Sequence, residues 1–230
     1  MGIKEKRRIA RLLQSPDLEA IKTELLQLPA SAVINPLIGA LCSTNETARW
    51  HAIGALGPVI AQLADRDMEA ARVVMRRFMW SLNDESGGIG WGAPEAMAEI
   101  MACHNGLADE YAHMLVAYMR EDGFYLELEQ LQRGLMWGLG RLALDKPALL
   151  RSKDAVRHLL PYLDSADSTV RGLAARTLGL LNAEESTSLL EKLVDDPAPV
   201  RLYMDRCFLD KTVGELAHKA LANIAKAIIA

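Results

Sequence analysis

Aromatic residues are scarce, at 5% of this 230-residue chain. Strands draw on aromatic and β-branched side chains, so this scarcity beside abundant Ala and Leu excludes a sheet-built core and favours close-packed helices. Cysteine is limited to Cys42, Cys103 and Cys207. An odd set without close spacing excludes a disulfide framework and predicts part-buried thiols in a reducing compartment. No run of 18 apolar residues is present, and the basic start MGIKEKRRIARLLQS is not followed by the apolar stretch of a signal peptide. These absences predict a cytoplasmic chain with no transmembrane segment. Neither sign of charge dominates, with 26 Lys and Arg against 30 Asp and Glu and a net charge of -4. The whole molecule is therefore no electrostatic magnet for nucleic acid or anionic lipid. The charge is uneven, however: residues 1–80 carry +3 and residues 81–230 carry -7.

Chemical signatures are missing as well. His51, His104, His113, His158 and His218 are scattered, and Cys103 and His104, as sequence neighbours, point in different directions on a helix. Asp84, Glu85, Glu95, Glu99 and His104 are oxygen-rich but match no metal-ligand spacing. No cofactor-binding motif is present, so the expectation is no cofactor and no metal.

An internal repeat is what the chain does have. Five segments align without gaps: Thr47 to Gly57, Gly88 to Ala98, Gln130 to Gly140, Thr169 to Gly179 and Thr212 to Ala222. A small or apolar residue recurs at the sixth position (Ala52, Ala93, Leu135, Ala174, Ala217) and a large one at the tenth (Leu56, Met97, Leu139, Leu178, Leu221). The i, i+4 relation puts both on one helical face, where the small residue admits a neighbouring helix and the large one fills the groove beside it. Each segment follows another helical stretch, near residues 32–42, 67–82, 107–120, 153–163 and 184–194, so five helix hairpins are expected. Two further helices, near 3–14 and 17–27, cap the array, with Asp17 as N-cap. Lys4, Lys6, Arg7, Arg8 and Arg11 then form the solvated face of a capping helix.

Asp167-Ser-Thr-Val170-Arg171, followed by Ala174-Ala175 and Leu178-Gly179, resembles the HEAT-like repeat, in particular the short variety typified by phycobilisome lyases. The resemblance covers about residues 32–229. It implies one all-α domain over 1–230, a right-handed superhelix of about five pairs behind capping helices at 1–30. It also implies that the second helices line a concave surface of the kind that holds a protein or peptide partner.

Two repeats depart from the pattern. Asn83 to Pro94 holds four glycines and a proline, which cannot propagate a helix; the helix should begin near Pro94, with Glu95 in its first turn. The Gly87 to Pro94 loop carrying Trp91 thus ends at a helix N-terminus, a setting suited either to an anion or to a tight turn. In the fifth repeat, Asp195 to Lys211 is about a dozen residues longer than the link in the fourth and reads as a loop bearing Arg201, Tyr203, Asp205, Arg206 and Asp210.

Positions four and eight of the aligned segment should point away from the stacking core. Position four holds Trp50, Trp91, Arg133, Gly172 and Glu215 and position eight Gly54, Glu95, Trp137, Arg176 and Lys219; these tryptophans with Glu95, Glu99, Arg133, Arg141 and Arg176 make an aromatic and charged strip of binding-site composition. Trp80, on a first helix, is expected to pack. The sequence reading is therefore a non-enzymatic scaffold that grips a protein or peptide, with Arg201, Tyr203 and Arg206 contributing from the insertion. The alternative is a lyase or hydrolase acting at Trp91 and Glu95. Trp91, Glu95 four residues on and Arg133 one repeat later resemble the HEAT-like alkylpurine DNA glycosylases, which implies a carboxylate that stabilises a sugar cation. Here that carboxylate is Glu where the family has Asp, and the acidic second half opposes phosphate binding.

Overall fold

Helix signals in the sequence become thirteen α-helices, two short 3-10 helices and one hairpin among the residues described by the computed structural model, 3–83 and 90–229. In chain order the α-helices and strands are α1 (Ile3–Leu12), α2 (Leu18–Leu26), α3 (Ala30–Ala40), α4 (Glu46–Arg66), α5 (Met68–Asn83), α6 (Ala93–Cys103), α7 (Asn105–Ala117), α8 (Glu129–Asp145), α9 (Pro147–Ser152), α10 (Ala155–Leu159), α11 (Ser168–Leu180), α12 (Thr187–Glu191), β1 (Pro199–Met204), β2 (Cys207–Thr212) and α13 (Val213–Ile229). The segments predicted as second helices are α4, α6, α8, α11 and α13.

The starts of these helices follow from capping chemistry. Asp17 accepts from the N–H groups of Glu19 and Ala20 at 2.9 and 3.0 Å, Asn45 from Ala48 at 3.0 Å, and Asp167 from Val170 at 3.0 Å. Each side chain satisfies donors that the first helical turn leaves without partners. Gly92, at φ 73°, sets the turn into α6, with Pro94 in its first turn.

The chain divides into two compact units, residues 1–110 and 111–230. In unit 1, α4 packs against α2, α3, α5 and α6. In unit 2, α8, α11 and α13 stack in series, with α12 against α13. The residues at the sixth repeat position are fully buried or nearly so, as are Leu56, Met97, Leu139 and Leu178 at the tenth; Leu221 is half-buried. The helices come close where glycine occupies the eleventh position, at Gly57, Gly140 and Gly179; Ala98 and Ala222 hold it in the other two segments. A Cβ on Gly57 would meet Glu99 of α6, one on Gly140 would meet Arg176 and Thr177 of α11, and one on Gly179 would lie 2.4 Å from the Ala220 Cα of α13.

Three expectations are corrected. The segment read as a loop is an antiparallel hairpin in which Met204 pairs with Cys207 across the two-residue turn Asp205-Arg206. Both turn residues have positive φ, 48° and 67°, which the right-handed twist of the flanking strands demands and which Asn-Gly usually supplies. Without that signature the hairpin was hidden, although Val200 and Leu202 alternate correctly for a half-buried strand. Trp80 does not pack but is 77% exposed on α5, because the buried stripe of that helix runs through Ala71, Val74, Met75 and Phe78. The three cysteines are exposed rather than part-buried.

Candidate functional site

Four of the residues predicted to form the strip lie in unit 1, and the structure turns most of them inward. Trp50 and Glu95 are buried, 8% and 7% exposed, Glu99 is buried beside Gly57, and Trp91 is half-buried ahead of Gly92. The reason is geometric: α4 is contacted by four helices, so little of its surface is left to face a partner. Arg49 lies over the Trp50 ring at 5.8 Å. Glu95 Oε2 is sealed from solvent and has no hydrogen-bond partner among the described residues. Burial raises the Glu95 carboxyl to about 6, against the opposing pull of its own backbone N–H and of Arg49. Gly87, Gly88 and Ile89 of the predicted glycine-rich loop, and the acidic pair Asp84 and Glu85, lie outside the described residues.

The other seven residues lie in unit 2, and two of them serve the scaffold. Arg133 donates from Nε to Asp167 at 2.8 Å and from a terminal nitrogen to the same oxygen. Asp167 is also the N-cap of α11. Burial alone would raise the Asp167 carboxyl, but Arg133 and the Val170 N–H outweigh it and the net shift is downward. Arg171 repeats the device one step on, donating to Asp196 at 2.9 and 2.8 Å. Arg141 forms an i, i+4 ion pair with Asp145 at 2.6 Å.

Of the remaining five, Arg201, Tyr203 and Arg206 belong to the hairpin and Trp137 is bonded to it. In a hairpin closed by the Met204–Cys207 pair, the carbonyls of Pro199, Arg201 and Tyr203 point away from β2. Two of these, four residues apart on one edge, accept hydrogen bonds from helix side chains. Ser168 Oγ donates to the Pro199 carbonyl and Trp137 Nε1 to the Tyr203 carbonyl, both at 2.7 Å. Between them Val200 seats over Gly172, where a Cβ would come within 2.9 Å of its Cγ2. Val200, Leu202 and Tyr203 are buried. On the opposite side of β1, the exposed Arg201 lies over the Phe208 ring at 4.5 Å, and Tyr203 meets that ring edge-on at 5.2 Å. Arg206 sits exposed in the turn.

Arg176 stands apart. Its guanidinium lies over Gly140, and among the described residues it makes no hydrogen bond or ion pair. Burial holds it below the ordinary guanidinium value; Asp205 at the hairpin tip acts against that shift and Arg141 with it.

Of the residues at positions four and eight in this unit, Trp137 and Gly172 therefore face the chain's own extended segment. Ser168 was missed by sequence reasoning, since it occupies neither position. Also missed was a cavity of about 490 Å³ lined in part by Asp122, Tyr125, Gln132, His158 and Tyr162. There Gln132 Nε2 donates to Tyr125 at 3.0 Å and to the Leu126 carbonyl at 2.9 Å. Among the described residues no group of three or more His, Cys, Asp or Glu side chains is placed to hold a metal ion, and no helix is long and apolar enough to cross a membrane.

Trp137→Phe keeps an aromatic ring but deletes the N–H. Losing one net hydrogen bond of roughly 1 kcal/mol should speed amide exchange across residues 199–204 about three- to tenfold. Unchanged exchange would mean that apolar contacts alone hold the hairpin.

Helix pairs in series, with capped starts and the Arg133–Asp167 strut between α8 and α11, define an all-α HEAT/armadillo-like repeat protein. The HEAT-repeat family profile matches residues 127–203. Among solved structures, an engineered protein is similar at 20% identity and a TM-score of 0.55, covering 98% of each chain. A computationally designed armadillo repeat protein for modular peptide recognition is similar at 17% identity and a TM-score of 0.51, covering 94% of this chain and 98% of that one. A designed armadillo repeat protein in complex with the peptide (KR)4 is similar at 18% identity and a TM-score of 0.51, with the same coverage. These likenesses are of fold. No curated protein matches the chain.

Proposed function

We propose that this protein is a non-enzymatic scaffold that binds a protein or peptide partner in extended conformation on the second helices of unit 2. One observation carries the reading: α8 and α11 already hold an extended strand by its main-chain carbonyls, through Trp137 and Ser168. Contacts to main chain grip a strand whatever its side chains, while pockets beside it select the sequence. Similarity in fold to a designed armadillo repeat protein solved with a peptide supports the same reading. The test is selection of peptides from a displayed random library on the intact chain, followed by hydrogen exchange with a selected peptide. Altered exchange across residues 129–145, 168–180 and 199–212 is expected. A library with no enrichment, or peptides that leave those segments unchanged, would remove the proposal.

A second reading is favoured by the Glu95 carboxyl, which at about 6 is near the range of a general acid or base working at neutral pH. It requires that a small molecule raise the melting temperature of the wild type and not of Glu95→Gln. A panel to which both respond alike dismisses it.

A further inference from the structure

Resting on the scaffold reading, we propose that the hairpin is an internal occupant of the partner surface, and that the partner is an extended acidic peptide bound in place of β1. The strand of such a peptide would offer carbonyls at residues i and i+4, apolar side chains at i+1 and i+3, and a carboxylate at i+6. That is the pattern by which Pro199, Val200, Leu202, Tyr203 and Asp205 meet the helices.

The charge of the partner follows from Arg176. The half-buried Arg176 makes no hydrogen bond or ion pair among the described residues, and burial disfavours its charge, so a carboxylate brought against the guanidinium would supply the partner it lacks. Asp205 is near enough to act on it electrostatically yet forms no ion pair with it. The reason lies in the turn. Asp205 is the first of two residues at positive φ, so its carboxylate goes where the reversal of the chain puts it. A peptide that continues past this point without reversing is free of that constraint and can bring its carboxylate onto the guanidinium in bidentate geometry.

Displacement is feasible because the hairpin is an insertion whose ends meet. The Val213 N–H donates to the Ala198 carbonyl at 3.0 Å, and the Gly214 N–H to the Asp196 carbonyl at 2.9 Å. The fourteen residues from 199 to 212 thus leave and return at one point, where α13 begins. Two-stranded hairpins have little stability of their own, so this one depends on the helices it covers. In the intact chain it competes at the high local concentration of a tethered segment, which predicts weak binding of partner until the hairpin is released.

The experiment replaces residues 199–212 by Gly-Gly and measures fluorescence anisotropy of a labelled peptide with the sequence of residues 199–205, Pro-Val-Arg-Leu-Tyr-Met-Asp. The excised chain should bind at least about tenfold more tightly than the intact one. Changing the peptide Asp to Asn, or Arg176→Gln in the protein, should each weaken binding roughly tenfold, as expected for a charged hydrogen bond of about 1.4 kcal/mol. An excised chain that melts cooperatively and fails to bind the peptide overturns the proposal, as does binding indifferent to both charge changes. If excision prevents folding, the intact chain is tested with excess peptide. The amides of Leu202 and Leu209, paired across the hairpin, should then exchange faster, and unchanged rates refute displacement. Should the intact chain still select other peptides from the library, the scaffold reading survives the loss of this one.

Discussion

Gly179→Ala is expected to destabilise the fold by about 1–3 kcal/mol, the usual penalty for forcing an extra methyl group into a close-packed contact. The new Cβ would lie 2.4 Å from the Ala220 Cα and 2.6 Å from its Cβ. Because one of these atoms is backbone, no rotamer change relieves the overlap, and α11 and α13 must separate. Their separation would loosen the buried layer of Ala174, Leu178 and Ala217. Gly39→Ala provides the opposite control. Gly39 is on α3 with nothing within 4 Å of an added Cβ, so alanine there should stabilise by about 0.5–1 kcal/mol through helix propensity alone. Thermal melts of the two variants should move in opposite directions, the first downward by several degrees at roughly 2–4 °C per kcal/mol. A Gly179→Ala melt that matches the wild type would mean that glycine at the eleventh position does not set the approach of the second helices.

That glycine illustrates why the fold was legible in the sequence. A small residue at position six in four of five segments, a large one at position ten and glycine or alanine at position eleven recur because close stacking of the second helices demands them. The binding strip was less legible because the same rule was applied to positions four and eight as though nothing else competed for them. Trp50 and Glu95 were drawn inside by the crowding of α4, and Arg133 was engaged by the cap of α11. A charge on a repeat surface serves the stack first when the next repeat offers an Asp at its N-cap. The hairpin escaped notice for a different reason: Asp-Arg is a poor signature for a turn with two positive φ values, and Val200-Arg201 imitates the Val170-Arg171 that opens a repeat helix. The outcome is informative, since the place where the repeat rule fails is where unit 2 holds an extended strand.

Glu95→Gln should stabilise the protein at alkaline pH and leave it unchanged at acid pH. The folded protein raises the Glu95 carboxyl from 4.5 to about 6, chiefly by burial. A carboxyl whose value is higher in the folded state favours folding when protonated. Its contribution is therefore complete below pH 4.5 and is lost as pH rises through about 6. At 1.36 kcal/mol per unit, the ionised Glu95 costs about 2 kcal/mol above that range, and an isosteric neutral amide removes the cost. Chemical denaturation at pH 8 should show Glu95→Gln more stable by about that amount, with the two proteins converging at pH 4. A gain equal at both values would assign the effect to packing. A loss at pH 8 would show instead that Arg49, whose Nε is likewise sealed without a partner, closes on the carboxylate as an ion pair. Arg49 offsets only part of what burial costs the Glu95 carboxylate, and folding alone gives no reason to keep a buried carboxyl at that cost. Coincidence of the stability gain with a lost ligand response in the same variant would therefore identify Glu95 as a residue held against the interest of the fold.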